Sequence, residues 1–382
     1  MNQPMQLDGQ EKQLFIDNLR RFLAEEVAPH YEGWEKAGIW PRSLWRQFGE
    51  QGFLCVDMPL EYGGYGVSFE LSCVVIDEVS RAGFGALASG LSVHSDIVAP
   101  YILNLGSEDQ RQRFLPGMVS GDIVGAIGMT EPSAGSDLQR IKTQAVKSGD
   151  VYRINGQKTF ITNGQHCDLI VLATKTDPNQ GAKGMTLFTV DCHASGFVRG
   201  RNLDKMGLHS GDTSELFFDD LEVSALDVLG GEGQGFINMM NELPRERLIL
   251  GVGCVGAAQG AFDLTVDYVS ERMAFGQPVA GFQNTRYKLA EMKTEIELCR
   301  AMAEKYTVSF IEGTLTSAEA SMLKLAASEM QGRIADQCVQ LHGGYGYMSE
   351  YPISRAFLDA RIQRIYGGTS EIMKELISRS IV

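Results

Sequence analysis

The chain has 382 residues, of which 44% are hydrophobic, and carries 48 acidic against 34 basic side chains for a formal net charge of −14. That length exceeds one typical domain and calls for two or three packed units. The acidic balance argues against a nucleic-acid surface, since a phosphate backbone would be repelled on average, but it leaves room for an anionic small ligand on a local basic patch.

In chain order, the first third reads helical. Leu14, Phe15, Leu19, Phe22, Leu23 and Val27 recur at a period near 3.6, and Pro29 is expected to end that helix. A second helix is expected from Pro41 to about Gln51, and the pattern continues over Leu71–Arg81 and Ala88–Leu105, with the Gly63–Gly66 run as a structural loop. In the middle third, Val151–Ile154 and Lys158–Ile161 flank Asn155-Gly156, a hairpin signal. Further short strands are expected at Leu169–Ala173, Met185–Val190 and Glu215–Phe218. After Gly235 the chain turns helical again, over Glu246–Arg272, Asn284–Phe310, Ser317–Leu341, Ile353–Ile365 and Glu371–Ser378.

The order α, then β, then α excludes a doubly wound sheet and points to an α+β fold: an all-α domain at 1–121, a small β domain at 122–230 and a four-helix-bundle-like domain at 231–382. Gly251-Val-Gly-Cys-Val-Gly256 matches a dinucleotide fingerprint in letters alone; no strand precedes it, and small residues on a packed helix account for it. The seven cysteines lie singly and the six histidines are scattered, so neither a disulfide framework nor a metal site is expected. No uninterrupted apolar window reaches bilayer length, so no membrane insertion is expected, and the start Met1–Asp8 lacks a basic or apolar leader, which makes a cytoplasmic location the expectation.

Two segments stand out. Gly128-Met-Thr-Glu-Pro-Ser-Ala-Gly-Ser-Asp137 leaves an apolar run and carries three hydroxyls, Thr130, Ser133 and Ser136, with a Ser-Asp pair able to hold a tight turn. Gln340–Asp359 has three glycines within four residues, whose bare backbone can lie against a phosphate or a flat ring. Together they resemble the paired signature segments of the acyl-CoA dehydrogenase family. The later one agrees at Gln340, Gly343, Gly344, Gly346, Tyr347, Glu350, Arg355 and Asp359; the earlier departs at its end, where Arg140 replaces a small residue.

The resemblance implies FAD as cofactor and removal of hydrogen from two neighbouring carbons of an acyl-CoA thioester to give the trans-2-enoyl-CoA. It also implies electron-transfer flavoprotein as partner and a homotetramer. The family's common base follows the Tyr of Tyr-Glu-Gly-Thr; here the stretch is Tyr366-Gly367-Gly368-Thr369, without a carboxylate. Glu246 aligns with the base of the isovaleryl and long-chain branches, on an earlier helix. Considered alone, Glu246 is an ordinary first-turn carboxylate favoured by a helix dipole; the glycine at 367 favours catalysis, with the Gly367 N–H left to grip the thioester oxygen.

By the same resemblance Ile127, Met129, Thr130 and Ser136 contact flavin or the ligand arm. Phe160 covers the ring, unless it is simply a β-core residue, and Thr162 reaches it. Arg272, Phe275 and Gln283 reach FAD from a neighbouring subunit, Gln340, Gly343 and Gly344 meet its diphosphate or adenosine end, and Thr369 and Glu371 close over it. Ser136, Lys183, Arg245, Arg247, Gly367 and Gly368 are the candidates on the substrate side, the basic ones alternatively being solvated. Small residues Ser92, Ser95 and Ala99 in the helix expected to floor the acyl pocket lean toward a long or branched chain. Other readings of the same residues are a dehydrogenase of carrier-protein-tethered acyl groups, an oxidase, or a flavin-binding protein without turnover.

Overall fold

The computed structural model describes Met5 and residues 7–382; Met1–Pro4 and Gln6, most of the start read above as leader-free, lie outside the described residues. The amino-terminal helical part comprises α1 (Gly9–Phe22), α2 (Ala28–Ala37), α3 (Ser43–Glu50), α4 (Phe69–Arg81), α5 (Gly85–Ser92), α6 (Ala99–Leu105) and α7 (Glu108–Ser120). Pro29 does not end the first helix. A π-helical turn, Leu23–Val27, joins α1 to α2, and Pro29 falls in the first turn of α2, where its missing N–H costs nothing. A second π-helical turn, Val93–Val98, interrupts the expected Ala88–Leu105 helix ahead of Pro100. Helix α7 was not expected; its Ser107/Gln110 capping box is the signal that marks it, obscured by Pro116 in its interior.

The middle part is one eight-stranded sheet of β1 (Gly125–Gly128), β2 (Gln144–Ser148), β3 (Val151–Thr162), β4 (Leu169–Lys175), β5 (Met185–Asp191), β6 (Phe197–Asn202), β7 (Thr213–Ser224) and β8 (Val228–Leu229). Its path runs β6-β7-β3-β2-β4-β5-β8, with β1 beside β4 in parallel. The hairpin expected at Asn155-Gly156 is absent: the chain runs straight through as β3, and the turn is at Gly149-Asp150, between β2 and β3. Gly156, at φ +152°, sits in a bulge against β7, where a Cβ would meet Thr143 Oγ1 at 2.5 Å. The Asn155 amide exchanges hydrogen bonds with Asp220 at 2.9 Å instead of making a turn.

The carboxy-terminal part is built on α8 (Gly235–Glu271), α9 (Gln283–Ile311), α10 (Ser317–His342), α11 (Pro352–Ala360) and α12 (Ser370–Ser378). Helix α8 begins eleven residues before Glu246 and carries Pro244 inside it, so Glu246 is a mid-helix residue rather than the expected first-turn carboxylate. The Gly251–Gly256 stripe of α8 is a packing surface: a Cβ at Gly251 would lie 2.6 Å from Leu323 of α10, and one at Gly256 would lie 2.5 Å from the Asp77 carbonyl of α4.

Two helical stretches, Gly85–Leu105 and Gly235–Glu271, are long and apolar enough to cross a bilayer, with mean hydropathies of 1.2 and 1.5, contrary to the expectation of no such window. Most of each apolar window is buried against the rest of the chain, 83% and 67% respectively, which makes both of them core helices.

Candidate active site

Where the sheet meets α5, α8 and the turn before α12, a cavity of about 420 Å³ opens. Its sheet side is set by the loop after β1. Glu131, buried in that loop, accepts from the Lys142 and Thr143 backbone N–H groups at 2.6 and 3.0 Å and from the Lys158 ammonium at 2.8 Å. Lys158 also donates to the Met129 carbonyl at 3.1 Å, so one buried ion pair fixes the course of Met129–Asp137. Burial opposes the charge on Glu131, but Lys158 and the backbone donors outweigh it and hold the carboxyl below its usual range.

Beside this loop, to which the Thr159 N–H donates at the Thr130 carbonyl at 2.9 Å, a bulge between Lys158 and Ile161 of β3 puts Phe160 at φ +61°, a strained conformation for a bulky residue, and leaves the residue 67% exposed. Ile127, Met129, Thr130, Ser136, Phe160 and Thr162 thus line a single wall. Phe160 is not a core residue.

The other wall is helical. Glu246, only 6% exposed, lines the cavity and accepts a 2.9 Å hydrogen bond from the Tyr101 hydroxyl. Burial pushes its carboxyl up to about 7, with nearby Glu242 adding to the rise while the Tyr101 hydrogen bond and Arg247 work against it. Leu250, one helical turn beyond Glu246, faces the same cavity. Gly367 (φ +62°) and Gly368 (φ +100°) complete the lining, and a Cβ on Gly367 would overlap Leu250 Cδ1. The position where the resemblance puts the usual base therefore has a left-handed backbone that favours glycine, with only the movable end of the Leu250 side chain in the way of a Cβ, while a buried carboxylate stands one turn from Leu250.

Arg247 also lines the cavity, buried, with a guanidinium nitrogen 3.4 and 3.5 Å from the Ser317 and Ser321 hydroxyls. Two other cations expected on the substrate side are elsewhere. Arg245 is buried away from the cavity, 2.8 Å from Asp57 and 3.7 Å from Asp96, with its guanidinium over the Phe69 ring. Side chains two apart on a helix point about 200° apart, so Arg245 and Arg247 cannot serve one face. Lys183 is exposed in the Pro178–Gly184 turn, outside the cavity lining.

Thr369 caps α12, accepting from the Ile372 N–H at 3.3 Å, and Glu371 lies exposed in its first turn; neither lines the cavity. Arg272, Gln340, Gly343 and Gly344 meet in a separate groove that includes Tyr268 and Tyr345. Gln283 is exposed, and Phe275 is 98% exposed at φ +51°. Of the small residues expected to floor the acyl pocket, only Ser92 does so. Ser95 turns its hydroxyl to the Cys55 N–H at 3.1 Å, and Ala99 is buried elsewhere.

Behind Ser89, Ser92, Leu250 and Tyr366 lies a second cavity of about 310 Å³, which shares those four residues with the first and is walled by Ala88, Gly253 and Ala257. Sequence reasoning missed Tyr101, Leu250 and the Glu131–Lys158 pair, although all four lie within or beside segments it singled out: Tyr101 in the expected pocket-floor helix, Leu250 next to the Gly251–Gly256 stretch, Glu131 in the Gly128–Asp137 segment and Lys158 at the start of an expected strand.

The residues present fit FAD. An uncovered aromatic face beside the Thr130 and Thr162 hydroxyls suits a flat ring. The exposed Gly343-Gly344 backbone beside Arg272, with open space where side chains would stand, suits a diphosphate.

Comparison with known proteins agrees with this geometry. The acyl-CoA dehydrogenase N-terminal domain model matches residues 9–122, the middle domain model 126–221 and the C-terminal domain model 233–382. The long-chain specific mitochondrial acyl-CoA dehydrogenase of Sus scrofa is 47% identical over 374 residues, covering 97% of this chain and 86% of that protein. A mitochondrial isovaleryl-CoA dehydrogenase of Solanum tuberosum is 35% identical over 376 residues, covering 98% and 91%. The crystal structure of an acyl-CoA dehydrogenase from Geobacillus kaustophilus superposes with a TM-score of 0.95 at 46% identity, covering 98% of each chain. In fold and in sequence along its length, the chain belongs to the acyl-CoA dehydrogenase family of oxidoreductases.

Proposed function

We propose that the chain carries out FAD-dependent α,β-dehydrogenation of a long-chain acyl-CoA to the trans-2-enoyl-CoA, with Glu246 as the base and electron-transfer flavoprotein as the acceptor. The observation that carries this reading is the pairing of a buried Glu246 on the cavity wall with a glycine of positive φ at 367, where the usual base would stand.

The α-proton of a thioester is too weakly acidic for an ordinary carboxylate to remove. Burial narrows that gap from one side: Glu246, raised to about 7, is a stronger base than a carboxylate in water yet still ionises near neutral pH. The Gly367 N–H narrows it from the other by donating to the thioester oxygen as negative charge gathers there. Breaking the α C–H bond leaves its proton on the Glu246 carboxylate. When bound, FAD supplies the acceptor for the electron pair that leaves with the β-hydrogen. Thr130, Phe160 and Thr162 hold the wall against which that chemistry takes place, and Leu250 and Tyr366 help keep water from it.

A long acyl group is favoured because the second cavity adjoins the first past small side chains at Ala88 and Ser92 and a Gly/Ala stripe on α8. The similarity to the Sus scrofa long-chain enzyme supports the same choice. The test is anaerobic mixing of the yellow protein with straight and branched acyl-CoAs of graded length. Bleaching is expected to be fastest for long chains; loss of bleaching beyond medium length would reject the chain-length assignment. Oxygen consumption with acyl-CoA as the only other reagent would reject electron-transfer flavoprotein in favour of an oxidase.

A further inference from the structure

Behind the Gly367-Gly368 turn, two cations are buried, and neither has a carboxylate within 4.0 Å among the described residues: Arg247 of α8 and Lys324 of α10. Lys324 is 1% exposed, and its ammonium donates to the Gly368 carbonyl at 2.6 Å. A lysine that only filled this slot would be a poor choice, because burying an ammonium without a counter-charge costs several kcal/mol that a Leu or Met would not incur.

Other groups nearby do not neutralise it. Glu329, further along α10, is engaged with the Ser370 hydroxyl at 2.7 Å and with Arg364 at 3.4 Å. From α12 comes Glu371, which is exposed, and from α8 come the Cys254 thiol and Arg247, the latter of like charge. Burial and Arg247 both favour loss of the Lys324 proton, which lowers its pKa to about 8 and leaves it charged at neutral pH.

What the ammonium holds is a turn with no side chain of its own. Gly367 and Gly368 both have positive φ, so the segment between Tyr366 and the Thr369 cap has two adjacent residues with wide conformational freedom. A carbonyl clamped at 368 restricts that freedom two peptide units on from the one whose N–H belongs at the thioester oxygen, with only the two glycines between. We propose that Lys324 is a positioning residue for the reaction: by clamping the Gly368 carbonyl it fixes the direction of the Gly367 N–H, and its charge adds positive potential behind the developing enolate. The inference rests on the reading that an acyl-CoA thioester lies in this cavity.

The experiment compares wild-type holoenzyme with Lys324→Met and Lys324→Gln. Three quantities are read: hydrogen–deuterium exchange of the 366–369 amides, kcat and KM with a long-chain acyl-CoA, and the charge-transfer absorbance formed with a non-oxidisable 3-thia-acyl-CoA. In both variants the 366–369 amides are expected to exchange about tenfold faster while α8 and α10 keep wild-type protection. kcat is expected to fall at least about tenfold with KM within roughly threefold, and the charge-transfer band to weaken. Unchanged exchange at 366–369, or kcat within roughly threefold of wild type, overturns the proposal. Loss of protection throughout the bundle, or failure of both variants to fold, assigns Lys324 to packing and overturns it too. A wild-type protein that no acyl-CoA reduces would instead refute the functional reading, while the exchange result would still decide whether Lys324 clamps the turn.

Discussion

The Tyr101 hydroxyl donates a 2.9 Å hydrogen bond to the Glu246 carboxylate in a pocket where both side chains are buried. The bond stabilises the charged form of Glu246 against the burial that disfavours it, so Tyr101 sets how far the base is raised. Tyr101→Phe is therefore expected to move the rise of flavin-reduction rate with pH to higher pH. The rate at pH 7 should fall several-fold while the plateau at high pH is retained, and a pH series of anaerobic reduction rates measures both.

Glu246 also ties activity to stability. Burial raises its carboxyl from 4.5 to about 7, so between those values the folded chain holds a proton that the unfolded chain releases. The associated stability is fully present below about pH 4.5 and is lost as the pH rises through about 7. Glu246→Gln removes this titration and keeps an acceptor for Tyr101. Denaturant melts at pH 8 should show the variant more stable than wild type by up to about 3 kcal/mol, and melts near pH 4.5 should show little difference.

Moving the base back to the usual position should be opposed by the left-handed backbone at Gly367 and, less strongly, by the Leu250 side chain. Gly367→Ala places a Cβ at positive φ against Leu250 and is expected to cost about 1–3 kcal/mol before any rearrangement. Gly367→Glu in a Glu246→Gln background should recover more activity when Leu250→Ala opens the space. Reduction rates of the double and triple variants test this.

Arg245 was read from the sequence as a candidate CoA contact, yet it is locked between Asp57 and Asp96. Arg245→Ala should act on folding rather than on ligand affinity, losing about 3–5 kcal/mol because two buried carboxylates are left without their partner. A large fall in melting temperature with unchanged KM for acyl-CoA is the expected pair of results.

The order of the parts was legible because helical periodicity survives over stretches such as 14–27, while short continuous apolar runs such as 169–173 read as buried strands. The routing between elements was less so. Asn155-Gly156 has the composition of a hairpin turn, but its glycine makes room for Thr143 within a bulged strand. The Phe160 bulge, which turns an aromatic out of the sheet into the cavity, leaves no mark in local composition.

At the site, Glu246 and Gly367 could be paired through a resemblance, whereas Tyr101 and Leu250 could not. Their roles depend on which side of a helix meets the cavity, and helical period alone does not say. The same ambiguity made Arg245 and Arg247 look equivalent when they lie on different faces.

The central claim is that the Glu246 carboxylate takes the α-proton, and stopped-flow anaerobic reduction of FAD-loaded Glu246→Gln by a long-chain acyl-CoA tests it most directly. The account predicts a variant that retains FAD and binds the acyl-CoA but bleaches slower than wild type by at least about three orders of magnitude. Bleaching at the wild-type rate would contradict it.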